Sequence, residues 1–94
     1  MTIFPYIVGT AVEVKIASVS PTRTSIVVVV NNATATLYTR FSKGVAVANG
    51  FPIYSYGFMS LKIPEDDPTK EIWAISDTAT TQVRVYEGYG KKEQ

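Results

Sequence analysis

Residues 24–41, TSIVVVVNNATATLYTRF, constrain the fold more than any other part of the chain. Ile26, Val27, Val28, Val29 and Val30 form an unbroken β-branched run. Branching at Cβ disfavours helix and suits a pleated strand. Asn31, Asn32, Ala33 and Thr34 interrupt the run, and Leu37, Tyr38 and Phe41 resume it. The pattern predicts two strands joined by a short polar loop, a β-hairpin. The valine strand lacks the apolar/polar alternation of a strand with one wet face, so both faces are expected to meet apolar partners. One face can be the core and the other a partner subunit.

The remaining segments read the same way. Val12, Val14 and Ile16 alternate with Glu13, Lys15 and Ala17, as in a half-buried strand. Residues 18–22, with Pro21, predict a turn. Residues 45–48 could form a short strand before Asn49 and Gly50, a turn signal because both residues tolerate positive φ. Phe51-Pro52-Ile53 fits an edge, since Pro52 cannot donate to a central ladder. In residues 58–63, Met59, Leu61 and Ile63 share one face. Residues 71–76 (EIWAIS) and 82–87 (QVRVYE) complete the set, the latter with Val83 and Val85 inward. No stretch shows helical periodicity. Turn signals about every eight to twelve residues predict an all-β fold, a small antiparallel β-sandwich of jelly-roll or Ig-like character. Residues 1–10 read as an N-terminal arm or edge strand, 11–87 as one sandwich domain, and 88–94 as a flexible tail.

Composition bounds the function. At 94 residues, this is one domain's worth of chain. A domain of this size buries roughly 60–65% of its unfolded surface, so its core is thin. Apolar residues nevertheless reach 46% and charged ones only 18%. This leaves apolar surface for an interface. The net charge of +1 points to neither nucleic acid nor an anionic membrane. With no cysteine and no histidine, disulfides, thiolate sites and Ser–His or Cys–His dyads are excluded. An enzyme is therefore not expected, and no cofactor is implied. No apolar run approaches the ~18–20 residues of a membrane span. Residues 1–14 lack a leading Lys or Arg and are broken by Pro5 and Gly9, so they do not read as a signal peptide.

Candidate sites are surfaces. Ile3, Phe4 and Ile7 are too apolar for a free tail and are candidates for docking, within the chain or onto a neighbour. Val27, Val29 and Trp73 are candidates for core or interface, and Trp73, the only tryptophan, has core burial as its default. Tyr54, Tyr56, Trp73 and Tyr86 could instead act as stacking platforms for a sugar. Lys15, Arg40, Lys62 and Arg84 lie among Tyr38, Trp73 and Tyr86, a mixture seen on sheets that hold single-stranded nucleic acid. Ordinary cross-strand pairing on an outer face is the plainer reading, and no nucleic-acid partner is expected. Glu65, Asp66 and Asp67 could hold Ca²⁺ but lack EF-hand spacing, and read as a solvated turn. Asn32-Ala33-Thr34 matches a glycosylation sequon and also suits a loop by its turn chemistry.

The order of these features resembles small β proteins of virus particles, of tailed phages and of viruses of thermophilic microbes. It runs from Pro21-Thr22-Arg23 through the valine strand to Asn31-Asn32, then Leu37-Tyr38 and the segment from Asn49 to Ile53. It ends with Ile72 to Asp77 and Val83 to Glu87. The resemblance implies a non-enzymatic structural component of the virion, of capsid decoration, head-fibre or turret type. Its partners would be itself, as a homo-oligomer, and a major capsid or other virion protein. It carries over no active-site residue. The alternative is a carbohydrate-binding β-sandwich module using the exposed aromatics.

Overall fold

A computed structural model describes residues 2–46, 48–62 and 67–90. Among them are eight strands and no helix: β1 (Thr2–Val8), β2 (Val14–Ala17), β3 (Ser25–Val30), β4 (Leu37–Arg40), β5 (Phe51–Ile53), β6 (Phe58–Lys62), β7 (Ile72–Ser76) and β8 (Thr81–Gly88). They form two antiparallel four-stranded sheets, one ordered β1-β8-β3-β6 and the other β2-β7-β4-β5. The pairs β1–β8, β2–β7, β3–β6 and β4–β5 are those of a folded-back ribbon wrapped into a sandwich. That topology is the jelly roll rather than the Ig arrangement.

The inner faces make the core. Val8, Ile26, Val28, Val30, Val83 and Val85 of the first sheet meet Ile16, Leu37, Ile53, Ile72 and Ala74 of the second, all buried. Tyr6, Val14, Met59 and Leu61 close its rim. β1 pairs with β8 along Thr2–Val8, at the edge of the first sheet. β8 runs on to Gly88, one residue past the expected boundary, and residues 91–94 of the expected tail lie outside the described residues.

Residues 24–41 do not form a hairpin. β3 lies in the first sheet between β8 and β6, and β4 lies in the second between β7 and β5. The polar loop crosses from one sheet to the other. Asn32 Oδ1 accepts from the backbone N–H groups of Thr34 and Ala35 at 2.9 and 3.1 Å, so the sequon asparagine serves as a turn residue.

Three further expectations are corrected. The strand expected from Val12 starts at Val14, leaving Val12 in a bend at 72% exposure. A register shift between Lys15 and Ala17 then turns both Ile16 and Ala17 inward. Val45 and Ala46 are not in a strand, and Val47 lies outside the described residues. Asn49 and Gly50 do form a turn, but neither has positive φ. A Cβ on Gly50 would sit 2.7 Å from Tyr38 Cβ and 3.1 Å from Val45 Cγ2, so this glycine supplies space rather than backbone freedom.

A buried arginine fastens one end of the sandwich. Arg23 Nε donates to the carbonyl of Pro68 at 2.6 Å, and Nη2 to that of Lys70 at 2.8 Å. Ser20 N–H donates to the Thr69 carbonyl at 2.9 Å beside it. The turn before β3 is thereby fastened to the loop before β7.

Candidate functional site

Alternation along the strands divides the remaining side chains between two outer faces. On the first sheet, the register aligns Ile3, Tyr86, Val27 and Ser60 in one row and Pro5, Arg84, Val29 and Phe58 in the next. Ile7 and Gln82 follow. Ile3, Ile7 and Phe58 are 54%, 65% and 67% exposed, and Val27, Val29 and Tyr86 are half-buried. This outer face is largely apolar, with Arg84 inside it. Among the described residues Arg84 makes no ion pair or side-chain hydrogen bond. Pro5, Tyr6, Ile7, Gln82 and Arg84 line a shallow depression where β1 meets β8.

The valine strand's two apolar faces are thus both real. Ile26, Val28 and Val30 fill the core, while Val27 and Val29 belong to this outer face. Ile3 and Ile7 join them there. Phe4 does not, because it pairs with Val85 on the inner side, at the rim. Phe58 was not a sequence candidate. The alternation of Met59 and Leu61 already sets it on the opposite face of its strand, and pairing with Val29 brings it onto this surface. Tyr6, on the inner side of β1, has its phenol pKa raised by burial and then by the nearby negative charge of Glu87.

The second sheet carries a different surface. Lys15, Trp73 and Arg40 form a row across β2, β7 and β4. Tyr38, Ile75 and Pro52 form the row beside it. Trp73 is therefore on the outside, not in the core. The run Ile72-Trp73-Ala74-Ile75 is apolar on both faces, and only Ile72 and Ala74 point inward. Lys15 Nζ lies 5.8 Å from the indole centroid and Lys43 Nζ 5.7 Å. Trp73 Nε1 donates to Glu71 Oε2 at 3.1 Å.

The four aromatics of the sugar-binding alternative do not share one surface. Trp73 and Tyr86 lie on opposite outer faces. Tyr54 and Tyr56 stand exposed in the turn between β5 and β6, where Tyr56 takes a φ of 55°. The basic and aromatic set divides likewise, with Lys15, Arg40, Tyr38 and Trp73 on one sheet and Arg84, Lys62 and Tyr86 on the other.

Of the acidic loop, Glu65 and Asp66 lie outside the described residues. Asp67 Oδ1 accepts from Thr69 N–H at 3.0 Å and from the Thr69 hydroxyl at 2.5 Å. These two bonds, the hydroxyl's first, hold the Asp67 carboxyl below its ordinary pKa. Among the described residues no three acidic groups are placed to hold a metal ion. Compared with known protein families, with curated proteins and with solved structures, the chain matches none.

Proposed function

We propose that this protein is a non-enzymatic structural component that works by self-association through the outer face of the β1-β8-β3-β6 sheet. The observation that carries the reading is the apolar surface itself. Ile3, Ile7 and Phe58 are each more than half exposed around Val27, Val29 and Tyr86. Such a surface costs free energy in water, which favours covering it with a partner.

The face, rather than the strand edge, is the route. Pro5 sits at the middle of the β1 edge and has no N–H to offer a pairing strand. A two-fold axis parallel to the strands, between β8 and β3, would lay β1 of one copy over β6 of the other. Pro5 would then face Phe58, and Arg84 would face Val29 rather than its own symmetry mate, avoiding like-charge contact.

The resemblance to virion β proteins supports a capsid or other particle lattice as the setting. The jelly roll fits that setting but also serves lectin domains, so the fold alone does not choose between them. Light scattering over a concentration series tests the reading. The wild type should show a dimer or larger species, and Ile7→Glu with Phe58→Glu should reduce it to monomer with an unchanged circular dichroism spectrum. A wild-type monomer at every concentration would overturn it.

A further inference from the structure

The outer face of the β2-β7-β4-β5 sheet carries a cluster that self-association through the other sheet does not use. Lys15 and Arg40 flank Trp73 on the neighbouring strands, and Lys43 reaches the same ring from the segment after β4. Two ammonium groups share one indole and repel each other, and the pull of the ring on an exposed ammonium is weak; Arg40 Nη1 donates to the Gly44 carbonyl at 3.5 Å. Among the described residues, none of the three makes an ion pair. Two carboxylates on neighbouring segments have other hydrogen-bond partners. Glu13 Oε1 accepts from the backbone N–H groups of Gly44 and Val45 at 2.8 and 3.1 Å. Glu71 Oε2 takes the indole N–H.

We infer that this face binds an acidic glycan, a chain of uronate or sulfated sugars, centred on Trp73. Each part of the cluster matches one feature of such a sugar. Lys15, Arg40 and Lys43 supply charge-assisted hydrogen bonds to its carboxylate or sulfate. The indole takes the apolar C–H face of the ring once a lysine swings aside. The second oxygen of Glu71 accepts from a hydroxyl. Tyr38, one row along the same face, extends the surface toward a second sugar. A nucleic-acid strand fits less well. DNA offers the second Glu71 oxygen no backbone hydroxyl to accept from, whereas every sugar of a glycan carries them. The inference is independent of self-association.

Trp73 is the only tryptophan, so its emission reports on this face alone. The protein should be titrated with heparin and with polygalacturonate, with dextran as the neutral control and oligo(dT) as the nucleic-acid control. The expected result is saturable quenching or a blue shift with the acidic glycans and no response to dextran. Added salt should weaken the response. Lys15→Gln with Lys43→Gln should raise Kd at least tenfold while leaving the circular dichroism unchanged. No response to either acidic glycan, undiminished binding in the double variant, or tighter binding of oligo(dT) would each overturn the inference.

Discussion

Arg23 Nη1 lies 3.5 Å from Glu87 Oε2, with the two side chains only 1% and 10% exposed. This ion pair joins the turn before β3 to the end of β8. Tyr89 OH donates to the other Glu87 oxygen at 2.5 Å. Arg23 thus serves Glu87 and the carbonyls of Pro68 and Lys70 with one planar group, which a lysine cannot do. Arg23→Met removes the cation, leaving the buried Glu87 carboxylate with the Tyr89 hydroxyl alone and two carbonyls without their donor. Unfolding in denaturant should show a loss of about 3–5 kcal/mol. Adding Glu87→Gln should recover part of it, since the uncompensated charge is then gone. Equal loss in the single and double variants would place the effect in the carbonyl contacts alone.

Gly50 tests the claim that space, not φ, requires a glycine. Gly50→Ala forces a methyl group onto Tyr38 Cβ and Val45 Cγ2. Overpacking of this kind costs about 1–3 kcal/mol. Thermal denaturation should show that drop, whereas Gly9→Ala, with no atom within 4 Å of the new methyl, should not.

The outward position of Trp73 changes what its removal should do. Leu37 is fully buried, and Leu37→Ala should cost about 2–5 kcal/mol. Trp73→Ala opens no core cavity, so the loss should be clearly smaller, and the mass in solution should stay that of the wild type. A variant that fails to fold would return Trp73 to the core.

Asp67 gives a pH dependence with a definite sign. Its folded pKa lies below the unfolded value, because the Thr69 hydroxyl and N–H both donate to the ionised form. Its contribution is therefore present above the unfolded pKa of about 3.9 and is lost as pH falls through the lower folded value. Thr69→Ala removes the larger of the two causes. Carboxyl NMR titration should show the Asp67 pKa rising toward the ordinary value in that variant, and no change would show that the hydroxyl bond is not made in solution.

Much of the strand content was legible because it is local. Val83 and Val85 alternate with Gln82, Arg84 and Tyr86, and β8 follows that pattern inward and outward. Pro52 announced an edge, and β5 is one. The pairing of β3 was not legible. Asn31 and Asn32 would suit a hairpin loop as well as a crossing between sheets, and only the long-range pairing of Val28 with Val85 and Met59 decides it. Trp73 was misjudged for a related reason. Its own strand shows no polar side, and the cations that mark its face come from other segments, Lys15, Arg40 and Lys43. Arg23 gave no local sign of burial, since its acceptors, Pro68 and Lys70, are 45 and 47 residues away.

The most direct test of the central claim is a dilution series followed by amide NMR. If the apolar outer face joins two copies, the amides of Ile3, Ile7, Val27, Val29, Phe58 and Arg84 should shift together with concentration. The Trp73 indole and the rest of the β2-β7-β4-β5 sheet should stay still. Spectra that do not change with concentration, or shifts confined to the Trp73 face, would contradict the account.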